Sequence, residues 1–211
     1  APWPPSGRRR NGGASPPGGT ANENDLSHQA PSAVFRHLLL DWADVVCIGC
    51  GLGMGQISEK ILTYVLKNIS CPCVIDADGL NLLSRNIDLL NQCGAPVILT
   101  PHMKEMSRLT GWSIDKIMED RFQALDQIIK QSGPDTKSSI ICVLKDSRTV
   151  VAQTNRQKFV NLAGNNSMAK GGSGDVLAGT ITGLLAQHMA PFEAAAVGVF
   201  LHACGGDEAK K

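Results

Sequence analysis

The densest chemistry in this 211-residue sequence lies in Met168-Ala169-Lys170-Gly171-Gly172-Ser173-Gly174-Asp175-Val176-Leu177-Ala178-Gly179. Three glycines and a serine open a run of small apolar residues that reads as a helix. Such a start leaves backbone N–H groups free and aims the positive end of the helix dipole into one small volume. That makes an anion hole of Gly172, Ser173 and Gly174. Asp175, in the first turn, is a carboxylate able to act as a base beside a bound phosphate. The plainer alternative is an acid that only stabilises a helix end after a glycine turn. Asn165 and Asn166, just upstream, can complete the wall.

Three further groups sit where apolar runs end. Asp76-Ala77-Asp78-Gly79-Leu80-Asn81 follows Cys73-Val74-Ile75, and open α/β sheets take their ligands at the carboxyl ends of strands. Asp76, Asp78 and Asn81, two carboxylates and an amide, can hold sugar hydroxyls or a hydrated Mg²⁺ there; alternatively, Asp78 or Asn81 only caps the next helix. Thr100-Pro101-His102 follows Val97-Ile98-Leu99, with Glu105 one helical turn on and His102 expected in the helix's first turn. Lys145-Asp146-Ser147-Arg148-Thr149 joins two strand-like runs. It is either an ordinary hairpin turn or one whose charges and hydroxyls meet a nucleotide phosphate.

Gly49-Cys50-Gly51-Leu52-Gly53-Met54-Gly55 sits between a strand and a helix, as a dinucleotide-binding turn does. The strict GxGxxG spacing fails from either Gly49 or Gly51. What remains is a glycine-lined wall that lets a ligand approach the backbone closely, or a plain tight turn. No GxxxxGK[ST] phosphate loop occurs. Cys47 and Cys50 have CxxC spacing, but no second pair completes a zinc site.

These groups need elements to hold them. From Asp44 onward, short apolar runs alternate with helical periodicity, the mark of an α/β layer fold. Strands are expected at Val45–Ile48, Cys73–Ile75, Pro96–Leu99, Ile140–Leu144, Thr149–Ala152 and Phe159–Leu162. Between them, a helix from about Ser58 uses Ile57, Ile61, Leu62, Val65 and Leu66 as one face, and Leu80–Leu90 is helical in composition. Met103, Met106 and Leu109 face one way on a short helix that stops at Gly111. Ser113 opens one longer helix through Ile117, Leu125, Ile128 and Ile129, ended by Gly133-Pro134. Two small-residue helices, about Asp175–Gln187 and Pro191–Cys204, close the sequence.

Composition narrows the function classes. Lys and Arg number 20 against 19 Asp and Glu, so no basic excess exists to neutralise nucleic-acid phosphates. Aromatics are 4%, too few for a base-stacking surface. No apolar run is long enough to span a membrane. Residues 1–26 concentrate Pro and Gly around Arg8-Arg9-Arg10, cannot bury enough surface to offset ordering entropy, and lack the apolar core of a signal peptide. They are expected to be a disordered or non-native tail, with 27–211 the globular part. Seven cysteines, an odd number partly inside strand-like runs, fit a reducing, cytoplasmic setting.

Gly-Ser-Gly-Asp opening a small-residue helix resembles the anion hole and base of the ribokinase-like superfamily. Within it, Val74–Asn81, Leu99–Met106, Asn165–Asp175 and Leu201–Asp207 resemble, in order, the motifs of the NAD(P)H-hydrate dehydratases. The resemblance implies a three-layer α/β/α domain with a mostly parallel sheet. It implies a lyase that returns hydrated NADH or NADPH to the reduced cofactor at the expense of ADP, or ATP in some relatives. Asp175 would take the proton of the C6 hydroxyl while that oxygen attacks the terminal phosphate. The Gly172, Ser173 and Gly174 amides would stabilise the phosphoryl charge, and the ring nitrogen would then expel phosphate. Gly51, Gly53, Asp76, Asn81, His102 and Asp175 would hold the hydrate. Lys145, Asp146, Ser147, Arg148, Thr149 and Gly174 would bind the nucleotide, with Mg²⁺ bridging its phosphates.

The resemblance also implies a homo-oligomer, a tetramer, sometimes fused to an epimerase. Two departures stand out: Asp146 occupies a place that is often Gly, and the Pro/Gly/Arg tail replaces an expected N-terminal strand, glycine-rich turn and helices. The expectation is therefore a domain lacking its N-terminal strand or strands. Competing functions are a small-molecule kinase acting on a hydroxymethyl-pyrimidine or thiazole alcohol, and a nucleotide-binding module without catalysis.

Overall fold

The computed structural model describes residues 40–130, 139–154, 158–165 and 168–210. The tail 1–26, Gly133-Pro134 and Asn166 lie outside them. The six apolar runs form one sheet: β1 (Val46–Ile48), β2 (Cys73–Ile75), β3 (Val97–Leu99), β4 (Ile140–Leu144), β5 (Val150–Gln153) and β6 (Phe159–Val160). Neighbours in the sheet are neighbours in sequence. The β1–β2, β2–β3 and β3–β4 pairs are parallel, and β4–β5 and β5–β6 are antiparallel.

That order dictates the layers. Parallel neighbours joined in sequence need right-handed crossovers, which put every connecting helix on the same face. Helices α1 (Gln56–Asn68), α2 (Asp78–Leu83), α3 (Met103–Thr110), α4 (Ile114–Glu119) and α5 (Arg121–Ile129) supply that layer. Their apolar residues pack on Cys73, Ile75, Val97, Leu99, Ile140, Cys142 and Leu144. The alternate strand residues Val74, Ile98, Ile141 and Val143 face the other way and would be bare without α6 (Ser173–Ala186) and α7 (Pro191–Glu208). The result is a three-layer α/β/α domain with central strands buried on both faces, which explains why they read as unbroken apolar runs.

Three helices differ from the sequence expectation. Ile57 is 76% exposed, so α1 packs through Leu62, Val65 and Leu66. The Leu80–Leu90 stretch splits into α2 and a 3₁₀ segment, Ile87–Gln92, because the backbone turns at Asn86 (φ −151°) to bring Leu89 and Leu90 into the core. The helix expected from Ser113 is two, because Asp120 leaves helical geometry and its side chain accepts the Gln123 N–H at 2.9 Å. A short acid bonding its own backbone competes with helix continuation. Among the described residues, no helix is long and apolar enough to cross a membrane.

Candidate active site

The strand ends define the site. β3 and β4 keep their register three residues past Leu99 and one past Leu144, where His102 and Lys145 bridge and Lys145 N–H donates to Pro101 O at 2.8 Å. Lys145 Nζ then reaches across β3 to Asp76 at the end of β2, with Nζ to Oδ1 at 2.7 Å. Asp76 is 1% exposed, so this pairing compensates a buried charge that would otherwise be costly.

Gly49 permits that burial. A Cβ there would lie 1.9 Å from the Asp76 carbonyl oxygen, and its φ of +124° suits only glycine. Beyond Asp76, Ala77 takes φ +49° without being glycine, a strained exit of the kind found near functional sites. Asp78 is not a helix cap. Its Oδ2 accepts the Gly53 N–H at 2.8 Å and ties the glycine loop to α2. Asn81 Oδ1 accepts from Arg108 of α3 and does not line the central cleft.

His102 is the cap of α3 rather than a first-turn residue. Its Nδ1 accepts the Lys104 and Glu105 N–H groups at 3.1 and 3.3 Å, so the ring proton belongs on Nε2, which faces Glu105 Oε1 at 3.3 Å. Glu105 Oε2 accepts the His102 N–H at 2.9 Å, completing a capping box. Burial raises the Glu105 carboxyl above its usual range; the His102 N–H and the Lys145 charge oppose this only in part.

Helix α6 begins as its residues require. Gly172 has φ +86° and no side chain caps the helix; the Ser173 N–H donates to Lys170 O at 3.2 Å, and the neighbouring Gly172 and Gly174 amides are left for a ligand. A Cβ on Gly174 would come within 3.2 Å of Lys145 Nζ and 3.5 Å of Asp76 Oδ2, so glycine lets the helix end approach that ion pair. Ser173 Oγ lies 3.2 Å from His202 Nε2. Desolvation lowers the His202 pKa, with Lys145 acting in the same direction.

A cleft of about 570 Å³ opens here, lined by Lys145, Asp146, Ser147, Thr149, Ser173, Gly174, His102 and His202 among others. That volume suits a nucleotide-sized ligand. Arg148 is exposed and outside the lining, and Gly172 faces an adjoining groove. Asp146, the unexpected acid, pairs with Arg121 of α5 at 3.0 Å, which offsets its charge. Asp175, next to Gly174, is exposed. One carboxylate oxygen of Asp175, one of Asp76 and the Cys50 sulfur lie within 4.8 Å of one another.

Sequence reasoning assigned no role to Cys50, Arg121, His202 or Asp207. Asp207 accepts the Gly164 N–H and the Asn165 side-chain amide, both at 2.8 Å, and so anchors the far wall of the cleft to α7. The Leu201–Asp207 motif held the only signal for the last two.

Residues 20–211 match the Carb_kinase family model, described as NAD(P)H-hydrate dehydratase. The chain belongs to the NAD(P)H-hydrate dehydratase family. The bifunctional NAD(P)H-hydrate repair enzyme Nnr of Moorella thermoacetica is 39% identical over 168 residues, covering 80% of this chain and 31% of the relative. The ADP-dependent (S)-NAD(P)H-hydrate dehydratase of Neisseria meningitidis is 37% identical over 191 residues, covering 85% of this chain and 62% of the relative. An ADP/ATP-dependent NAD(P)H-hydrate dehydratase of Bacillus subtilis, co-crystallised with ATP and Mg²⁺, superposes with a TM-score of 0.66 at 32% identity, covering 76% of this chain and 54% of that one. A ribokinase-like superfamily protein of Enterococcus faecalis gives 0.68 at 34% identity, covering 85% and 60%. The fold of this chain is ribokinase-like, and the chain spans less than two thirds of the length of each of these relatives.

Proposed function

We propose that this chain carries the dehydratase site of a nucleotide-repair lyase, converting the S-epimer of hydrated NADH or NADPH to the reduced cofactor at the expense of ADP. The observation that carries the reading is Asp175 in the first turn of α6, next to the Gly172 and Gly174 amides and with a carboxylate oxygen within 4.8 Å of the Asp76 carboxylate that Lys145 holds. The Neisseria relative, named for that reaction, supports it.

Asp175 accepts the C6 hydroxyl proton while the oxygen attacks the terminal phosphorus of ADP, and AMP leaves. The helix amides and Lys145 stabilise the charge spread over the phosphoryl oxygens. Phosphate is a far better leaving group than hydroxide. The ring nitrogen's lone pair expels it as the C6–O bond breaks, and loss of a C5 proton to solvent restores the dihydronicotinamide. ADP lies in the cleft against Lys145, Asp146, Ser147 and Thr149, with Arg148 at its rim. The hydrate lies against Gly51, Gly53 and His102, with Asp76 and Asn81 supporting that wall.

Mg²⁺ is a hard ion that prefers oxygen ligands and keeps much of its water. The cluster here offers a thiol, a carboxylate already held by Lys145 and the Asp175 carboxylate needed as the base, which does not make a resident Mg²⁺ site. The ion belongs with the nucleotide's own phosphates. A cytoplasmic setting, a tetramer and a fused epimerase acting on the other hydrate epimer complete the proposal; the bifunctional relatives support the last.

The test is Asp175→Asn with ADP and the hydrate. ADP-dependent recovery of NADH absorbance falls about 10²- to 10⁴-fold if Asp175 is the base. Full recovery in the variant overturns the mechanism. Build-up of a stable phosphorylated substrate with the unmodified chain points instead to a small-molecule kinase.

A further inference from the structure

Cys50 lies in the glycine loop, in a turn closed by Leu52 N–H to Gly49 O at 3.2 Å. Gly49 and Gly51 flank it with φ of +124° and +68°. A left-handed third residue is what a type II turn demands, and only glycine meets that demand without strain. The turn thus fixes the cysteine's direction, towards α6. There its sulfur lies within 4.8 Å of an Asp175 carboxylate oxygen. Behind it lie Cys47 of β1 and, beside that, Thr182 of α6. A line of side chains, Thr182–Cys47–Cys50–Asp175, therefore joins the sheet edge to the proposed base.

We infer that Cys50 is a positioning residue for Asp175, its S–H donating to one carboxylate oxygen so that the other stays aimed at the substrate hydroxyl. This inference rests on the reading of Asp175 as the base. An exposed carboxylate at a helix start would otherwise rotate freely, and the like charge of Asp76 within 4.8 Å would push it outward. Lys145 offsets Asp76; the thiol restrains Asp175. Partial desolvation, then the Asp175 carboxylate, push the Cys50 thiol up to about 12. At neutral pH the sulfur keeps its proton and serves as a donor, not as a nucleophile. The titratable and charged groups around this contact are Cys47 from β1, Asp76 from the end of β2 and Lys145 from the end of β4.

The experiment uses the 211-residue chain with Cys50→Ala, Cys50→Ser and Asp175→Asn. Iodoacetamide alkylation of Cys50, read by peptide mass spectrometry, needs no turnover. It accelerates several-fold in Asp175→Asn, because the thiol loses the carboxylate that holds its proton. An unchanged alkylation rate overturns the contact. In kinetics, Cys50→Ala lowers kcat about tenfold with a nearly constant KM, the signature of a displaced reacting group. Cys50→Ser, which keeps a donor, restores most of that loss. Wild-type kcat in Cys50→Ala overturns the inference while leaving the base assignment intact; activity surviving in Asp175→Asn overturns the base assignment itself.

Discussion

Asp146 brings a negative charge to a cleft wall otherwise furnished with Lys145, Lys170 and hydroxyls. An acid there opposes a phosphate unless its charge is engaged, and Arg121 of α5 engages it at 3.0 Å. The pair is roughly three-quarters buried, so solvent screens it only in part. Removing the guanidinium would leave a bare carboxylate facing a nucleotide bound as proposed. Arg121→Ala should therefore raise the calorimetric Kd for ADP about fivefold, roughly 1 kcal/mol. Adding Asp146→Asn in that background should return it, because the repulsive charge is then gone. High salt should shrink the single-variant effect. Additive losses in the double variant would mean that Arg121 contacts the ligand itself.

At the scale of elements, the glycine loop and the strand ends act as one unit. The Gly49 backbone sits against the Asp76 carbonyl, and any Cβ there must displace backbone. Gly51 also has positive φ, but a Cβ on it meets nothing within 4 Å. Gly49→Ala should cost roughly 3 kcal/mol or more, lowering Tm by about 10 °C, while Gly51→Ala costs about 1–2 kcal/mol and a few degrees. Equal Tm losses would refute the packing argument. Much of this was legible in the residues. Strands buried on both faces read as continuous apolar runs, and Gly172-Ser173-Gly174-Asp175 announced an open helix start. Helix breaks at Asn86 and Asp120 were less legible, because each depends on how the chain turns into a core already formed. The partners of His102, Asp146 and Asp175 were illegible for a related reason. His102 is occupied by its own helix, whereas Arg121 and Cys50 reach their partners only through the sheet order. No spacing rule encodes such contacts.

At the scale of the molecule, the sequential sheet gathers Asp76, His102 and Lys145 at one edge, and α6 and α7 close over it. Folding therefore buries two titratable groups near the site, with opposite consequences for stability. Burial raises the Glu105 carboxyl above 4.5, so the folded state binds more protons than the unfolded state just above that pH. Its contribution is fully present below 4.5 and is lost as pH rises through the folded value. Burial lowers the His202 imidazole below 6.5, so the unfolded state binds more protons just below that pH. Its contribution is present above 6.5 and is lost as pH falls through the folded value. Between these limits the two slopes oppose each other. Thermal melts from pH 4.5 to 7 should show Glu105→Gln gaining stability relative to wild type as pH rises, since glutamine still accepts the His102 N–H. His202→Gln should lose less stability than wild type as pH falls. Because the slopes cancel, Tm of the double variant should track wild type more closely than either single variant does. A parallel shift of all four melts across the range would show that neither group is linked to folding.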